Sequence, residues 1–498
     1  MSGPRSMWLG ELTDVIGPER VVGMPVGHVT SLAYDSRDAH AGTLFFAVPG
    51  DHVDGHDYVL EAVTHGALGV VAERETLGIS EPQLIVHRTR DALADAADAW
   101  YGRPSERLEV IGVTGTDGKT TTSYLAVAAL AAGGRRPGMI GTVAVRVGEE
   151  MRSNEDRNTT PEALELQALL ADMVEAGNDC VVMEATSHGL AQSRVRNCRF
   201  KVAIVTNLTS EHLDFHGTLE AYRAAKAMLV EEAPLAILNA DDPAFGFFRD
   251  HAHGHVLTYG TDLSAEIRAT EIQARADGTT FTVTTPGWSG EVNLRLPGAF
   301  NVHNALAALA LAHAEGIELP AAAAAIGSVM GVPGRMERID AGQPFGVVVD
   351  YAHTPDSLAK VLRTLRPLSA GRVIVVFGSA GERDRVKRPE MGRVAAELAD
   401  IAIVADEDPR LEDPRAINEA IANGARAAGA RDGESLWVID DRRAAIAHAI
   451  DLAHAGDMLL LAGKGHEGSI IYGTTKAWWD EREVARRELA AAGYRADA

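Results

Sequence analysis

The sequence predicts an α/β protein of several domains, in which parallel sheets are covered by helices. Short apolar runs alternate with helical patterns along most of the 498 residues, and this alternation is typical of parallel sheets. The chain is too long for one ordinary core, so about two to four domains are expected. Its 46% apolar and 23% charged residues are those of a folded globular protein.

The N-terminal region, residues 1–107, is predicted to be a small α/β domain. Three strand-like runs and one alanine-rich helix lie in it, at residues 44–48, 69–72, 84–86 and 91–101. The next apolar strand begins directly after residue 107, so we place the first domain boundary there.

The central region, residues 108–334, is predicted to contain a parallel sheet built around a glycine-rich loop. Strands are predicted at 108–113, 180–183 and 202–206, and a threonine-rich hairpin at 267–296. One helix follows the loop, and another begins near Pro161, because proline suits the first turn of a helix. Strand, helix and strand in this order indicate a sheet with helices on its faces.

The C-terminal region, residues 335–498, alternates again and predicts a second doubly wound, Rossmann-like domain. Strands are expected at 347–349, 373–377, 401–404 and 458–461, with helices after residue 356 and near 391–398.

Charge and cysteine content exclude several classes of protein. The net charge of −23 argues against nucleic acid as the main partner, since a phosphate backbone requires a basic face. Only Cys180 and Cys198 are present, which favours a reducing compartment without disulfides. The first residues have no apolar signal segment and no apolar run is long enough to span a membrane, so we expect a cytoplasmic protein.

The segment from Gly112 to Thr120 is predicted to bind the phosphates of ATP. A glycine-rich turn between a strand and a helix presents backbone N–H groups to an anion, and the helix dipole adds to the attraction. Lys119 can reach the β- and γ-phosphates, and the Thr120 hydroxyl can bind Mg²⁺. Five residues separate Gly112 from Gly118, one more than in the standard pattern, so the loop is a variant.

Two side chains at predicted strand ends are candidate metal ligands. Glu184 follows the strand at 180–183, and His212 follows the strand at 202–206 after a short loop. Ligands in open α/β sheets bind at the carboxyl ends of the strands, so both side chains should face the phosphate loop. Either residue alone would more often be structural, but together beside a phosphate loop they favour a metal site.

The order of these motifs resembles that of the Mur ligases, and nearly the whole chain takes part in the resemblance. It is carried by residues 112–120, 158–161, 184–189, 206–208, 212–217, 224–227, 296–298, 301–304, 334–337, 350–355 and 463–467. It is closest to the MurE type, because residues 35–37, 42–45 and 54–56 also look like the uridine-nucleotide domain of that type. The resemblance implies three domains that bind the uridine nucleotide, ATP and an amino acid, in that order.

The resemblance also implies a reaction and its partners. Enzymes of this type add the third residue of the peptidoglycan stem peptide to UDP-N-acetylmuramoyl-L-alanyl-D-glutamate. ATP phosphorylates a substrate carboxylate to an acyl phosphate, which the amine of a free diamino acid then attacks. The implied protein is a monomer that needs ATP and Mg²⁺ and has no nucleic-acid or membrane partner.

Motif by motif, the resemblance assigns residues to the nucleotide and the metal. The implied ATP-binding residues are Gly115, Thr116, Asp117, Gly118, Lys119, Thr120, Thr121, Asn301, Asn304, Arg335, Asp350 and His353. The implied metal ligands are Thr120, Glu184, His212 and Lys226, and Lys119, Lys226 and His212 are the implied catalytic residues. Taken by itself, Lys226 would be interpreted as a solvated helix residue; in this family the matching lysine is carbamylated and binds Mg²⁺. Asp117 stands where asparagine is commoner.

The residues implied to hold the UDP-linked substrate are Ser36, Asn158, Thr159, Thr160, Thr186, Gln192 and Arg194. Thr186 replaces the usual serine and retains its hydroxyl group.

The implied amino-acid site contains two conflicting signals about the donor. Its residues are Arg383, Glu407, Asp408, Pro409, Arg410, Gly463 and Glu467. Arg410 can bind a distal carboxylate with two hydrogen bonds, which favours meso-2,6-diaminopimelate. Asp408 stands where such members have asparagine, and its negative charge would repel that carboxylate. We favour meso-diaminopimelate, while L-lysine and L-ornithine stay open, as does a simple proline turn at 407–410.

Two other functions remain open at this level. One is another ATP-dependent amide ligase of the same superfamily, such as a folylpolyglutamate or cyanophycin synthetase, although the uridine-domain pattern argues against it. The other is a silent nucleotide-binding module, which the intact set of Lys119, Thr120, Glu184, His212 and Lys226 argues against.

Overall fold

The structure is a computed structural model that describes residues 5–50, 53–154, 158–209, 211–275 and 278–495. Its described residues form three main sheets, one in each of the three predicted regions, with helices packed on their faces. The predicted α/β class is therefore confirmed.

The N-terminal region contains a mostly parallel sheet with the strand order β2-β7-β6-β5-β4 and a short antiparallel pair, β1 and β3. Its strands are β1 (Met7–Trp8), β2 (Arg20–Val22), β3 (His28–Val29), β4 (Ser31–Ala33), β5 (Thr43–Phe46), β6 (Gly69–Ala72) and β7 (Gln83–Ile85). Its helices are α1 (Leu9–Ile16), α2 (Val59–Thr64) and α3 (Thr89–Trp100). The predicted strands match β5, β6 and β7 within two residues, and the predicted helix matches α3.

The central region is built on a sheet with the strand order β11-β10-β9-β12-β8-β13-β14-β15-β16-β17-β18. Its strands are β8 (Glu109–Thr114), β9 (Pro137–Ile140), β10 (Ala144–Val147), β11 (Glu150–Ser153), β12 (Cys180–Glu184), β13 (Phe200–Val205), β14 (Leu235–Asn239), β15 (His255–Gly260), β16 (Ile267–Arg275), β17 (Gly278–Thr285) and β18 (Trp288–Leu294). Its helices are α4 (Lys119–Ala132), α5 (Ala163–Glu175), α6 (Ser187–Ala191), α7 (Leu213–His216), α8 (Leu219–Glu232), α9 (Phe245–His251), α10 (Phe300–Ala314) and α11 (Leu319–Ser328).

The parallel strands β9, β12, β8 and β13 form the middle of this sheet, and apolar residues on both of its faces are buried against helices. Parallel strands covered on both sides read as continuous apolar runs, which explains why β8, β12 and β13 were visible in the sequence, whereas β9 was not predicted. Since β8, β12 and β13 run in the same direction, the segments that follow them emerge at one edge.

The predicted hairpin at 267–296 is wrong in its extent. Three antiparallel strands, β16, β17 and β18, occupy this stretch, and β15 pairs with β16 in parallel. The threonine-rich stretch therefore lengthens the central sheet and is not a separate decoration. Its alternation of buried and exposed residues identifies strands but gives no information about the partner strand.

The C-terminal region has the strand order β19-β20-β24-β21-β22-β23, parallel except between β19 and β20, and a separate hairpin of β25 and β26. Its strands are β19 (Glu337–Arg338), β20 (Gly346–Asp350), β21 (Val373–Phe377), β22 (Ile401–Val404), β23 (Leu436–Val438), β24 (Met458–Ala462), β25 (Ser469–Tyr472) and β26 (Thr475–Trp478). Its helices are α12 (Pro355–Leu365), α13 (Lys387–Leu398), α14 (Pro414–Ala427), α15 (Arg442–Leu452) and α16 (Glu481–Ala491). The four predicted strands match β20, β21, β22 and β24.

Helix α12 illustrates how the local sequence positions a functional segment. Thr354 accepts a hydrogen bond from the backbone N–H of Ser357, the Ser357 side chain reciprocates, and Pro355 occupies the first turn. This capping box ends the segment that follows β20 and holds it at the carboxyl end of the sheet. Within the described part of the chain, no helix is both long and apolar enough to cross a membrane.

Candidate active site

The phosphate loop connects β8 to α4 and requires glycine at two positions. The backbone φ angles of Gly115 and Gly118 are 142° and 84°, values that favour glycine. A Cβ atom at Gly115 would overlap the Thr206 hydroxyl, and one at Gly118 would overlap the Asn304 side chain. Glycine is therefore needed at both positions because the backbone of the loop packs directly against Thr206, which follows β13, and Asn304 of α10.

Lys119 lies over this loop. Its ammonium group donates hydrogen bonds to the carbonyl oxygens of Gly115, at 3.0 Å, and Thr116, at 2.8 Å. A cation held over a glycine cradle at the start of a helix fits the phosphate groups of a nucleotide, and the binding of ATP by Lys119 stays a prediction.

Thr120 and Glu184 form the part of the predicted metal site that the structure brings into contact. The Thr120 hydroxyl donates to Glu184 Oε2 at 3.1 Å, and Glu184 is only 1% exposed. The backbone N–H and hydroxyl of Thr142 donate to the same carboxylate at 3.0 and 2.9 Å. Glu184 is the last residue of β12 and does not follow the strand, but its carboxylate lies at the predicted edge. An oxygen pair of this kind suits Mg²⁺.

Lys226 is buried, so its interpretation as a solvated helix residue is wrong. Thr218 caps α8, and from the middle of that helix Lys226 donates a 2.7 Å hydrogen bond to the Gly115 carbonyl. Its ammonium nitrogen also lies 4.6 Å from the centre of the Tyr222 ring. Burial, reinforced by the neighbouring Lys119, lowers the pKa of Lys226 well below its usual value.

His212 belongs to an aromatic group beside the same helix. Its ring centre lies 4.7 Å from that of His188 and 6.3 Å from that of Tyr222, whose hydroxyl is 3.0 Å from Thr116 Oγ1. His212 Nε2 lies 3.5 Å from Glu211. Among the described residues, no group of three or more His, Cys, Asp or Glu could hold a metal ion. The full ligand set of Thr120, Glu184, His212 and Lys226 therefore stays a prediction.

The two asparagines predicted on the adenine side lie at the start of α10, next to the loop. Asn304 accepts a 3.2 Å hydrogen bond from Thr122 and donates one of 2.9 Å to Asn301. Asn301 in turn donates to the Pro297 carbonyl at 2.8 Å. Both side chains are buried, so they support the backbone of the loop whatever else they bind.

The C-terminal region contributes Arg335, Asp350 and His353 to the joint with the central region. Arg335 reaches within 3.5 Å of the Thr120 hydroxyl and lies over the ring of Tyr351. Asp350 is buried and accepts backbone hydrogen bonds on both carboxylate oxygens. His353 Nε2 lies 4.0 Å from Glu211, and burial lowers the pKa of its imidazole.

Lys360 on α12 is a residue that the motifs did not reveal. Its ammonium group lies 2.5 Å from Asp117 Oδ2 and connects the C-terminal region to the phosphate loop. Burial raises the pKa of Asp117, but the charge and hydrogen bond of Lys360, together with the charges of Lys119 and Arg335, outweigh this effect and the net shift is downward. The one available signal was Asp117 itself, because a carboxylate beside phosphates calls for a compensating cation.

We expect Lys360→Ala to raise the KM for ATP by up to about fivefold at low salt, because an exposed ion pair contributes about 0.2–1 kcal/mol. The uncompensated Asp117 would then repel the phosphates, and added salt should reduce the difference. Initial rates at two ionic strengths measure both effects. In the double variant Asp117→Asn/Lys360→Ala the KM for ATP should return towards that of the unmodified protein. An unchanged KM for ATP in Lys360→Ala would show that Lys360 does not compensate the charge of Asp117.

Most residues predicted to bind the UDP-linked substrate form one cluster beside Glu184. Thr160 donates a 2.7 Å hydrogen bond to the Glu184 carbonyl and accepts one of 3.0 Å from the Thr186 backbone. Arg194 donates to the Thr160 carbonyl at 2.9 Å and to Gln192 at 2.7 Å. These contacts place the cluster next to the Thr120–Glu184 pair.

The remaining three predicted residues lie around this cluster or apart from it. Thr159 Oγ1 is 2.9 Å from Thr142 Oγ1, and the Asn158 carbonyl accepts a 3.0 Å hydrogen bond from Asn154. Ser36 is buried in the N-terminal region, where it donates to Glu61 at 3.0 Å, and no contact with the cluster is present among the described residues.

Glu162 connects the two regions and was missed in the sequence. It pairs with Arg90 of the N-terminal region at 3.0 Å and with Arg194 of the cluster at 2.8 Å. Its position just before a helix resembled an ordinary acidic first turn, so no pattern singled it out.

In the C-terminal region, Asp408 is paired with Lys464. Asp408 Oδ1 accepts hydrogen bonds from the Lys464 ammonium at 3.0 Å and from the Ile471 backbone at 2.9 Å. Lys464 is fully buried and also forms an ion pair with Glu467. Asp408 is therefore paired with a cation that it shares with Glu467, and its expected repulsion of a distal carboxylate stays a prediction.

Arg410 is fixed by the hairpin of β25 and β26. Its backbone N–H donates to the Ile471 carbonyl at 2.9 Å, and its carbonyl accepts from Gly473 at 2.7 Å. The side chain is half-buried, and its Nε atom is buried without a hydrogen-bond partner among the described residues. The segment 407–410 is therefore anchored to the hairpin by Arg410, and its role in binding an amino acid stays a prediction.

The remaining donor-site residues surround this segment. Gly463 packs against Glu407, where a Cβ atom would lie 2.9 Å from the carboxylate, and burial raises the pKa of Glu407. Arg383 is exposed on a neighbouring loop, which the backbone of Gly381 fastens to the Asp408 carbonyl at 2.8 Å. Pro409 packs closely on Gly381, because a Cβ atom at position 381 would overlap the carbonyl oxygen of Pro409.

Taken together, the fold and the site define an ATP-using α/β enzyme whose phosphate loop lies at the joint between two sheets. Three family descriptions match the chain: "Mur ligase family, catalytic domain" at residues 28–101, "Mur ligase middle domain" at 113–312 and "Mur ligase, glutamate ligase domain" at 334–465. The chain belongs to the Mur ligase family, and it is an ATP-dependent ligase.

Relatives match over almost the full length. The UDP-N-acetylmuramyl-tripeptide synthetase of Roseiflexus sp. (strain RS-1) is 50% identical, with 94% of this chain and 95% of the relative covered. The UDP-N-acetylmuramoyl-L-alanyl-D-glutamate--2,6-diaminopimelate ligase of Geobacillus kaustophilus (strain HTA426) is 44% identical, with 93% and 96% covered. The resemblance to the MurE type is thereby confirmed.

Solved structures agree. A structure of a UDP-N-acetylmuramoyl-L-alanyl-D-glutamate--2,6-diaminopimelate ligase superimposes with a TM-score of 0.67 at 31% identity, covering 98% of this chain and all of the other. A Mycobacterium tuberculosis folylpolyglutamate synthase covers 75% of this chain and 92% of its own, with a TM-score of 0.62 at 19% identity, which shows a shared fold alone.

Proposed function

We propose that the protein joins meso-2,6-diaminopimelate to UDP-N-acetylmuramoyl-L-alanyl-D-glutamate in peptidoglycan synthesis. The observation that carries the donor is the half-buried Arg410, which forms no ion pair among the described residues and lies two residues from Asp408, itself paired with Lys464. A carboxylate at the distal end of the amino acid would pair with Arg410. The relative from Geobacillus kaustophilus, named as a ligase for this donor, supports the same proposal.

In the proposed reaction, ATP supplies the phosphoryl group that activates the substrate carboxylate as an acyl phosphate. Lys119 and the N–H groups at the start of α4 hold the phosphates and offset their charge. Arg335 reaches the same position from the C-terminal region, so a joint that closes would complete the site. Asn301 and Asn304 keep the loop in place.

The proposed Mg²⁺ ligands are Thr120, Glu184, His212 and a carbamylated Lys226. Burial lowers the pKa of Lys226, which favours the neutral amine, the form that can react with carbon dioxide. The carbamate would replace a cation with an anionic oxygen ligand, as a hard divalent ion requires. The contact between Thr120 and Glu184 supports the same position for the ion.

The cluster of Thr160, Thr186, Gln192 and Arg194 is proposed to hold the dipeptide end of the UDP-linked substrate beside Glu184. Its hydroxyl and guanidinium groups suit carboxylate and amide oxygens. Ser36 would meet the uridine end, with domain boundaries at residues 107 and 334. We further propose a monomer that works in the cytoplasm, where ATP and nucleotide sugars are made.

A single assay tests this function. The protein is given ATP, Mg²⁺ and UDP-N-acetylmuramoyl-L-alanyl-D-glutamate, and phosphate release is followed with each donor in turn. We expect release with meso-diaminopimelate and its loss when a chelator removes Mg²⁺. No release with any donor would sink the proposal, and release with glutamate but no diamino acid would indicate another ligase of the superfamily.

L-Lysine or L-ornithine is the second candidate donor. Asp408 and Glu467 are two carboxylates close to one another, and an ammonium group at the tip of a side chain would suit them. The relative from Roseiflexus is named without a donor.

A further inference from the structure

We infer that Lys464 decides which diamino acid the site accepts, because it neutralises Asp408 and leaves Arg410 available for a carboxylate. This inference rests on the proposed function. It concerns a buried lysine that is not among the residues predicted to bind the amino acid.

Lys464 is held between two carboxylates with no access to solvent. Its ammonium group lies 3.0 Å from Asp408 and forms an ion pair with Glu467, while its side chain is fully buried. A buried charge of this kind is stable only when it is paired, so Lys464 and its two acidic partners act as one unit.

The backbone on either side of Lys464 restricts the position of its side chain. Gly463 and Gly465, on either side, have φ angles of 105° and 51°. A Cβ atom at Gly465 would lie 2.9 Å from the side chain of Tyr351, whose hydroxyl donates to Glu467 at 3.4 Å. The turn after β24 therefore fixes the ammonium group where Asp408 needs it.

The charges around Lys464 match those at the distal end of meso-diaminopimelate, which is zwitterionic. Arg410 and Lys464 carry positive charge, and Asp408 and Glu467 carry negative charge, so these four groups balance. The distal end of meso-diaminopimelate carries one ammonium and one carboxylate, whereas that of lysine or ornithine carries only an ammonium. Without Lys464, Arg410 alone would face the two carboxylates of Asp408 and Glu467. The resulting negative charge would repel the distal carboxylate of meso-diaminopimelate and attract the distal ammonium group of lysine or ornithine.

The test compares kcat/KM for meso-diaminopimelate with that for L-lysine in three variants of the full-length protein. Lys464→Met should lower the ratio by about tenfold or more, mainly through a higher KM for meso-diaminopimelate, as an uncompensated charge close to a bound carboxylate predicts. Asp408→Asn/Lys464→Met removes both charges and should restore much of the ratio. Asp408→Asn alone leaves an excess of positive charge and should raise it.

These outcomes separate selection from simple structural support. Damage to the fold would raise the KM values for ATP and the UDP-linked substrate as well, and would not be repaired by a second substitution. An unchanged ratio in folded Lys464→Met overturns the inference. If Lys464→Met does not fold, Asp408→Asn provides the test. A ratio of kcat/KM values that is unchanged or lower in Asp408→Asn than in the unmodified protein then overturns the inference.

The same experiment distinguishes failure of this inference from failure of the proposed function. Wild-type protein that releases phosphate with lysine or ornithine but not with meso-diaminopimelate overturns the inference and leaves a diamino-acid ligase. Wild-type protein inactive with every donor overturns both.

Discussion

Lys226→Ala is expected to lower kcat by about 100-fold or more, comparable to the loss of a charge-stabilising group in a water-excluded site. The reason is that Lys226 is buried beside the phosphate loop and, as a carbamate, would supply an anionic metal ligand. Short carboxylates such as formate or acetate should restore part of the activity, because they can occupy the space of the missing group. Phosphate release measures both effects.

The matched control is Lys201→Ala, which removes a half-exposed lysine from the opposite edge of the central sheet. It should leave kcat nearly unchanged. A second readout is a carbamate signal in the ¹³C NMR spectrum of protein in labelled bicarbonate, present in the unmodified protein and missing in Lys226→Ala. Full activity of Lys226→Ala would show that no carbamate is needed.

Glu481→Ala is expected to destabilise the C-terminal region by about 3–5 kcal/mol, since it leaves a buried guanidinium unpaired. Arg442 and Glu481 are both 0% exposed, and their closest atoms are 2.6 Å apart. Arg442 also donates to the Ala462 carbonyl at 2.7 Å, so the pair supports the end of β24, next to Lys464. Urea unfolding followed by tryptophan fluorescence measures the loss, because Trp479 donates to Glu481.

Two controls accompany this prediction. Glu397→Ala removes an exposed helical partner of Arg393 and should cost no more than about 0.5 kcal/mol. Arg442→Met/Glu481→Leu replaces the whole buried pair and should recover most of the stability, because burial of apolar groups avoids the desolvation of two charges. A loss below about 1 kcal/mol in Glu481→Ala would contradict the expected role of the pair.

The elements that the sequence predicted best are the buried parallel strands. The predictions at 373–377 and 401–404 coincide with β21 and β22, because strands covered on both faces are continuous apolar runs. The stretch at 267–296 was misjudged, since alternation along a strand carries no information about which strand pairs with it.

Site residues were predictable where a motif positions them in sequence and not where two distant segments meet. Lys119, Thr120 and Glu184 lie on or beside β8 and β12, whose neighbouring carboxyl ends follow from the parallel order. Lys360 meets Asp117, and Lys464 meets Asp408, only through the packing of separate elements. A lysine in a helix or turn is ordinarily a surface residue, so nothing in its immediate sequence distinguishes a buried one.

A single backbone oxygen, that of Gly115, accepts hydrogen bonds from two lysines, Lys119 and Lys226. Any event that draws one of them away changes the surroundings of the other. The proposed binding of nucleotide at Lys119 and of carbon dioxide at Lys226 would therefore be linked equilibria. If bound nucleotide changes the affinity of Lys226 for carbon dioxide by some factor, bound carbon dioxide would change the affinity for the nucleotide by the same factor.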